Sequence, residues 1–273
     1  MLLNISNSTI NRNNVAVPNT LLEKTCRIGD TIQNQEMTIA LIIAGGVGQR
    51  MHLQTPKQFL SVRGKPVIVH TLERFENHPS IDAICVVTLP AWKDIVRDYA
   101  RRWNISKLRW IADGGATGQQ SIRNGALEIA RHAGPDDVVV IHDAIRPMVS
   151  ADIISNNLAV CREHGNAITV IPCAEVMCRS GDGKVSTVHE NRDELWRTQT
   201  PQSLPLRTLL DAQERAIERG MTDVTATVAL LLRLGTPVHF SPGSEKNVKI
   251  TTQDDLSIFR ALLAVESTGS IED

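Results

Sequence analysis

The sequence lacks the features that would place the protein in a membrane or on nucleic acid. It contains no run of about 18 uncharged apolar residues, the length that a membrane-spanning helix requires. Its formal net charge of −1 excludes a bulk electrostatic attraction to nucleic acid or to anionic lipid. We therefore expect no nucleic-acid or membrane partner, and any bound anion must be held by locally placed groups.

The sequence also lacks a cysteine framework. Its five cysteines are odd in number, have no metal-ligand spacing, and in three cases lie in apolar surroundings. This pattern favours reduced thiols in the core of a cytoplasmic protein over disulfides or a metal site. The five are Cys26, Cys85, Cys161, Cys173 and Cys178.

Residues 1–36 differ in composition from the rest of the chain. They begin MLLNISNSTINRNNVAVPNT, which is rich in Asn and Ser and has no apolar block of secretory length. We expect either a flexible N-terminal extension or sequence that precedes a natural start near Met37, and we assign it no role. Residues 37–273 suffice for one α/β domain.

Short β-branched runs alternate with longer helical patterns from Met37 onward. This alternation predicts an α/β fold with a doubly wound, mainly parallel sheet that is covered on both faces. Ligands of such sheets bind at the carboxyl ends of the strands. The predicted strands are Ile39–Ala44, Ala83–Thr88, Leu108–Ile111, Val138–His142 and Ala167–Ile171. The predicted helices are Val67–Asn77, Lys93–Trp103, Gln119–His132, Asp152–His164, Pro205–Arg219, Val224–Leu234 and one from Asp254 to about Val265.

A glycine-rich turn, 45–48, follows the first predicted strand and leads to Arg50 and Lys57. Glycines let backbone N–H groups approach a phosphate closely, and two nearby cations complete a polyphosphate site. The turn lacks the Gly-Lys-Ser/Thr of a P-loop and the third glycine and acidic residue of a dinucleotide fingerprint. An ordinary turn is the alternative, but it does not explain why the cations follow so closely.

Two further strand ends carry candidate ligand groups. Gly114-Gly115, ahead of Ser121, can hold a base or ribose, and an ordinary turn is equally supported. Asp143 ends the fourth strand, where a carboxylate can hold Mg²⁺ between phosphates, or can cap a helix. Arg146 can bind a phosphate through a bidentate fork, or form a surface ion pair. His142 is better explained as a hydrogen-bonded core histidine than as a catalytic one.

Three later segments carry local signals. Residues 180–184, Ser-Gly-Asp-Gly-Lys, predict a β-hairpin within Val176–Val188. An isolated hairpin is marginal in water, so it needs a packing partner such as a second subunit. Thr222 or Asp223 can cap the helix that follows, and 247–251 is expected to form a short strand that contains a lysine.

Several motifs occur together in one order: AGGxGxRM…TPKQF, a double glycine with serine, HDAxRP, LWxxQTPQ, a Thr-Asp pair and NxKIT. Over about 37–265, the chain resembles the cytidylyltransferases that act on sugar-alcohol phosphates. That family includes 2-C-methyl-D-erythritol 4-phosphate cytidylyltransferase of the non-mevalonate isoprenoid pathway and ribitol-5-phosphate cytidylyltransferase. The resemblance implies a Rossmann-like nucleotidyltransferase domain over 37–273. It also implies a protruding β-arm, about 172–195, that exchanges contacts in a homodimer.

The resemblance also implies the substrates CTP and a polyol phosphate, the cofactor Mg²⁺, and a set of residue roles. Catalysis is assigned to Arg50, Lys57 and Lys249. Nucleotide binding is assigned to Ala44, Gly45, Gly46, Gly48, Gly115, Ser121, Asp143 and Ala144, with Asp143 as the metal ligand. Binding of the polyol phosphate is assigned to Arg146, Arg192, Thr200 and Thr222, with Arg192 supplied by the neighbouring subunit.

The implied reaction agrees with what the sequence lacks. A phosphate monoester attacks the α-phosphorus of CTP and expels pyrophosphate, and its second pKa of about 6 leaves it largely ionised near neutrality. No general base is needed, so the absence of a Ser/His/Asp or paired-carboxylate pattern is expected. Catalysis rests instead on aligning two anions and neutralising charge, for which lysine, arginine and Mg²⁺ are suited.

The chain departs from the family pattern at three places. Gly118 stands where an arginine is usual, Glu175-Val176 where Asp-Thr is usual, and Val224-Thr225 where an acid and a small residue are usual. These changes bear on the acceptor more than on the reaction type. We expect transfer to 2-C-methyl-D-erythritol 4-phosphate, with ribitol 5-phosphate or a related polyol phosphate for surface glycans as the alternative. A non-catalytic nucleotide-binding relative is less favoured.

Overall fold

A seven-stranded sheet forms the centre of the computed structural model, which describes residues 36–46, 55–222, 224 and 226–268. The strands run in the order β11-β7-β10-β6-β1-β4-β5. These seven are β1 (Thr38–Ala44), β4 (Ala83–Thr88), β5 (Leu108–Asp113), β6 (Val138–Asp143), β7 (Ala167–Pro172), β10 (Trp196–Pro205) and β11 (Phe240–Pro242). Two small ladders pair β2 (Ser61–Val62) with β3 (Lys65–Pro66) and β8 (Met177–Arg179) with β9 (Val188–Glu190).

Helices cover both faces of this sheet. They are α1 (Val67–Glu76), α2 (Lys93–Arg102), α3 (Gly118–Ile129), α4 (Ala151–His164), α5 (Leu206–Glu218), α6 (Thr227–Arg233) and α7 (Gln253–Thr268). Short 3-10 turns occur at Lys57–Phe59, Pro90–Trp92 and Arg192–Glu194. In the described part of the chain, none of the helices is long and apolar enough to cross a membrane.

Strand β1 shows why the sheet is covered on both faces. Ala40 and Ile42 pack in a buried cluster with side chains of α1, α2 and α4. Ile39 and Leu41 pack in a second cluster with side chains of α3, α5 and α6. Successive side chains of a strand point to opposite faces, so a continuous apolar run fills two layers. The predicted doubly wound, mainly parallel sheet is confirmed.

Helix α3 lies close against the sheet at Gly125. A Cβ atom there would stand 2.6 Å from Cγ2 of Val87 and would also meet the side chain of Leu41. Contacts this short leave no room for a side chain, so glycine permits the approach. The close packing positions the start of α3 at the carboxyl ends of β4 and β5.

Strand β10 was not predicted as a strand. From the sequence, Trp196 and the following residues are expected only to return the chain toward the sheet. Instead they pair antiparallel with both β6 and β7, and the ladder to β7 is interrupted between Thr198 and Gln202. Polar residues and Pro201 weaken a strand signal, because proline cannot donate to a ladder. The interruption places Thr200 beside the end of β6.

Two other local predictions are wrong. Residues 247–251 do not form a strand, and this segment is held by the bond from Ile250 N to Ile145 O, at 2.9 Å, and by side chains. Helix α6 begins at Thr227 rather than at Val224, with Ala226 at its N-cap and no side-chain cap. The predicted cap at Thr222 or Asp223 therefore does not hold, and Asp223 itself lies outside the described residues. The short edge strand β11 had no recognised signal.

The predicted hairpin is present as β8 and β9, in which Cys178 pairs with His189. Asp182 fixes its turn, because Oδ1 accepts from the N–H groups of Lys184 and Val185. Cys85, Cys161 and Cys173 are buried free thiols, Cys178 is an exposed one, and Cys26 lies outside the described residues.

Candidate active site

A cavity of about 510 Å³ opens where the glycine-rich turn meets the carboxyl ends of the parallel strands. We call it the glycine-loop cavity. The structure brings most of the predicted nucleotide and catalytic residues to its wall. These are Ala44, Gly45, Gly46, Lys57, Gly115, Ser121, Asp143 and Lys249. Predicted Ala144 instead lies fully buried, where its carbonyl accepts from Thr71 Oγ1 at 2.8 Å.

Gln58 holds the described start of the glycine-rich turn. Its side chain is 1% exposed, and Nε2 donates to the carbonyls of Ala44 at 2.6 Å and Gly46 at 3.0 Å. The neighbouring Phe59 ring stacks on Trp92 with centroids 4.2 Å apart. These contacts fix the short turn that carries Lys57 on the cavity wall. Gln58 has no role predicted from the sequence, although it belongs to the TPKQF motif. Predicted Gly48 and Arg50 lie outside the described residues.

The double glycine and Ser121 form one hydrogen-bonded unit. Gly115 N donates to Ser121 Oγ at 3.0 Å, and that hydroxyl donates to Thr117 O at 3.0 Å. A Cβ at Gly115 would lie 2.5 Å from side-chain atoms of Gln120, and one at Gly45 would lie 3.3 Å from Ser121 Oγ. The two glycine segments therefore approach each other across Ser121, and larger residues would disturb this wall.

Asp143 ends β6 between two cations. Lys249 Nζ lies 3.1 Å from Oδ2, and Arg146 Nε lies 3.1 Å from the same oxygen. Burial alone would raise the pKa of the Asp143 carboxyl, but attraction to Lys249 and Arg146 outweighs it, and the net pKa is lowered. The side chain is thus an anion near neutrality. It caps no helix, since Ser150 caps the next one, α4.

Arg146 is 9% exposed, so the alternative of a surface ion pair is wrong. Besides Asp143, its guanidinium donates through Nη1 to the carbonyl of Asn247 at 2.8 Å. The arginine therefore joins the end of β6 to the segment that carries Lys249. Its predicted binding of a phosphate remains a prediction.

A second cavity of about 250 Å³ adjoins the first, and we call it the β10 cavity. The two share Ile43, Gly118, Asp143 and Lys249 as wall residues. The remaining polar wall of the β10 cavity consists of Arg146, Thr198, Gln199, Thr200, Gln202 and Thr227. The glycine-loop cavity thus includes several glycines in its wall, and the β10 cavity includes several hydroxyl and amide side chains. A carboxylate and a lysine belong to both walls.

His142 connects Thr200 to Arg146 beneath this wall. Asp143 N donates to Thr200 Oγ1 at 3.1 Å, and that hydroxyl lies 3.0 Å from His142 Nδ1. Nε2 donates to the carbonyl of Arg146 at 3.1 Å, so Nδ1 is the acceptor of the Thr200 hydroxyl. Burial lowers the pKa of His142 to about 4. The prediction of a hydrogen-bonded core histidine is confirmed, and the lowered pKa keeps this histidine neutral near neutral pH.

Asn247 and Gln199 hold the Lys249 segment against β10. Asn247 Nδ2 donates to Thr200 O at 2.9 Å and to Gln199 Oε1 at 3.1 Å. Gln199 Nε2 donates in turn to Ser244 O at 2.8 Å. Both side chains are buried. The motifs QTPQ and NVKIT contain these residues, yet only the fold shows that they contact each other.

Two residues that were predicted to bind the polyol phosphate line neither the glycine-loop cavity nor the β10 cavity. Thr222 lines a separate cavity of about 390 Å³, together with Gln213 and Ile217 of α5. Arg192 donates through Nη1 to Ala174 O at 3.0 Å beside the β8–β9 ladder. Its predicted action in a neighbouring subunit remains a prediction.

A doubly wound sheet in which lysines and a carboxylate converge beside a glycine-rich turn is suited to bind a nucleotide and to transfer a phosphate-containing group. The chain belongs to the IspD family, 2-C-methyl-D-erythritol 4-phosphate cytidylyltransferase, whose model matches residues 38–265. It is therefore a cytidylyltransferase, in agreement with the resemblance seen in its motifs.

Its relatives carry two acceptor names. A ribitol-5-phosphate cytidylyltransferase of Lacticaseibacillus paracasei is 40% identical over 83% of this chain and 98% of that protein. A 2-C-methyl-D-erythritol 4-phosphate cytidylyltransferase of Syntrophus aciditrophicus is 37% identical over 84% and 96%. The crystal structure of the Francisella tularensis 2-C-methyl-D-erythritol 4-phosphate cytidylyltransferase matches with a TM-score of 0.70. It is 27% identical over 83% of this chain and 99% of that one.

Proposed function

We propose that this enzyme transfers the cytidylyl group of CTP to 2-C-methyl-D-erythritol 4-phosphate and releases pyrophosphate. The observation that carries the proposal is the meeting of the glycine-loop and β10 cavities at Asp143 and Lys249. Glycine backbone and Lys57 suit a nucleotide triphosphate in the first cavity. Arg146 and the hydroxyl and amide groups suit a phosphorylated polyol in the second.

The proposed chemistry is a displacement at phosphorus. An oxygen of the acceptor phosphate forms a bond to the α-phosphorus of CTP, and the bond from that phosphorus to the bridging oxygen of pyrophosphate breaks. Lys57 and Lys249 offset the charge of two anions that would otherwise repel each other. Removing one such group typically lowers the rate by about 10²–10³.

Mg²⁺ is the proposed cofactor, and Asp143 would hold it. Among the described residues there is no cluster of three or more potential metal-ligating His, Cys, Asp or Glu side chains, so no all-protein metal cage is present there. Mg²⁺ commonly takes one or two carboxylates and completes its shell with substrate phosphates and water, which fits a single anionic Asp143. When bound, the ion would neutralise charge on the triphosphate.

Ribitol 5-phosphate is a second candidate acceptor. The 40% identical relative named for it supports this candidate. Both acceptors present a phosphate and several hydroxyl groups, so both fit the polar β10 cavity described above. The altered Glu175-Val176 pair removes a hydroxyl expected near the acceptor and also favours testing both.

The experiment measures pyrophosphate release with each nucleoside triphosphate against a panel of polyol phosphates, with and without Mg²⁺. We expect release with CTP, a phosphorylated polyol and Mg²⁺ together. Turnover with ribitol 5-phosphate alone would overturn the first acceptor and support the second. Measurable CTP binding without release for any acceptor would contradict the proposed reaction.

We also propose that the chain forms a homodimer through the β8–β9 ladder, in the cytoplasm. Val176, Met177, Val185 and Val188 expose large apolar side chains on and beside this ladder. Burial of such a patch favours association. Sedimentation should show a dimer that Val185→Asp and Val188→Asp together weaken, whereas Leu232→Asp at an exposed site on α6 should not. A monomeric wild type would contradict this.

A further inference from the structure

Buried polar side chains on the wall of the β10 cavity are mostly engaged with the protein. Gln202 donates through Nε2 to Gln199 O at 3.2 Å and accepts at Oε1 from Val228 N at 3.3 Å. Gln199 and Thr200 are engaged by Asn247, Ser244 and His142 as described above. These bonds hold the wall in shape and use part of the hydrogen-bonding capacity of its side chains.

Thr227 differs from these neighbours. It is the first residue of α6, is 2% exposed, and lines the β10 cavity. Its Oγ1 is buried without a hydrogen-bond partner in the described part of the protein. An unsatisfied buried hydroxyl costs about 1–3 kcal/mol, whereas valine would fill the same volume without that cost. The described residues alone give no reason for a hydroxyl at this position.

A ligand in the β10 cavity would supply that reason. A phosphorylated polyol carries several hydroxyl groups, and Arg146 and Lys249 on the same wall suit its phosphate. Threonine side chains occupy staggered rotamers, and in helices they populate two of them. Rotation about χ1 moves Oγ1 to another staggered position on this side chain, which lines the β10 cavity.

We infer that Thr227 is a specificity-determining residue whose hydroxyl binds a hydroxyl group of the polyol acceptor. This inference rests on the proposed function and adds a way in which the enzyme discriminates between acceptors. A site that hydrogen-bonds a substrate hydroxyl rejects analogues that lack it, because its own polar group is left unpaired. The enzyme therefore discriminates between polyol phosphates partly at the start of α6.

The test compares wild type, Thr227→Val and Thr227→Ser with the active acceptor and with its monodeoxy analogues. Losing one hydrogen bond of about 1–1.5 kcal/mol predicts that Thr227→Val raises the acceptor KM roughly tenfold. The KM for CTP should not change, and Thr227→Ser should retain most of the acceptor affinity. For one monodeoxy analogue, wild type and Thr227→Val should have equal KM values.

Thr88→Val is the matched control. Thr88 Oγ1 is also buried without a hydrogen-bond partner among the residues that the structure describes, but Thr88 does not line the β10 cavity. It should leave the acceptor KM unchanged. A Thr227→Val enzyme with raised thermal stability and an unchanged acceptor KM would overturn the inference. Wild type that turns over no polyol phosphate would instead overturn the proposed function, so the two failures are distinguishable.

Discussion

Asp143 and Lys249 are 106 residues apart in the sequence, yet Lys249 Nζ lies 3.1 Å from Asp143 Oδ2. Both side chains line the glycine-loop cavity and the β10 cavity. An ion pair on a shared wall can respond to ligands on either side. Phosphate groups compete for the lysine, while a divalent cation competes for the carboxylate.

Replacing Asp143 by Asn should lower turnover by about 10²–10³ while the protein stays folded, because the amide keeps the size of the carboxyl but not its charge. Initial rates over a range of Mg²⁺ concentrations should show that excess metal does not restore the wild-type rate. Asp211→Asn, at an exposed carboxylate paired with Arg215 on α5, is the control and should have no effect. Normal turnover by Asp143→Asn would rule out the role proposed for this carboxylate.

Replacing Lys57 by Ala should slow turnover far more than it weakens acceptor binding. The lysine lines the glycine-loop cavity, where charge builds up on the triphosphate as the reaction proceeds. Steady-state kinetics with both substrates varied separates kcat from the two KM values. Lys65→Ala, which removes a lysine paired with Glu73, serves as the control. An equal loss in both variants would count against the assignment.

Replacing Gly118 by Arg should lower the KM for CTP about threefold to tenfold, the range expected for one added charge-assisted hydrogen bond. Gly118 lines both cavities, and no atom of the described residues lies within 4 Å of the position that a Cβ would occupy. The gain should shrink at high salt, since ions screen exposed charges. Gly118→Met adds comparable bulk without charge, and an equal improvement in that variant would refute the electrostatic explanation.

Stability should fall with decreasing pH between about 6.5 and 4 because of His142. Its pKa is lowered from 6.5 to about 4 in the folded protein, so over this window the unfolded chain binds the extra proton. The stabilisation is complete above the unfolded pKa and is lost as pH falls through the folded one, by up to about 3 kcal/mol. Urea unfolding at pH 7 and pH 5 measures the change.

His142→Asn is the comparison for that experiment. Asn keeps an acceptor for Thr200 but cannot take up the proton. The variant should therefore show a shallower pH dependence over the same window, while His70 and His78, whose pKa values are also lowered by burial, contribute equally to both proteins. The same slope in variant and wild type would show that His142 does not govern it.

The parallel part of the sheet could be predicted from the sequence because its strands are continuous apolar runs. Strand β10 could not, since Thr198, Gln199 and Thr200 are polar and Pro201 follows. Its place in the sheet depends on pairing with β6 and β7. Local strand propensity does not encode this pairing. The structure of residues 247–251 could not be predicted locally either. Hydrogen bonds of the Gln199 and Asn247 side chains hold this segment in place of the backbone bonds of a strand.

Some residues of the site could likewise be predicted from the sequence, and others could not. Four site residues belong to recognisable motifs, and the structure brings them to the glycine-loop cavity. They are Lys57, Ser121, Asp143 and Lys249. Gln58 was missed because its importance lies in the hydrogen bonds that it donates to the glycine-rich turn. Thr227 was missed because its importance lies in a buried hydroxyl that has no hydrogen-bond partner in the described part of the chain. Neither property is visible in residue type or spacing.

The position of β10 also bears on how the protein is made. This strand enters the sheet between β6 and β7, both of which precede it in the chain. A nascent chain can thus pair β1, β4, β5 and β6 from early contacts, but β6 and β7 keep unpaired edges until β10 arrives. Such edges are open to pairing with other chains, so aggregation during synthesis should depend on how promptly residues 196–205 emerge.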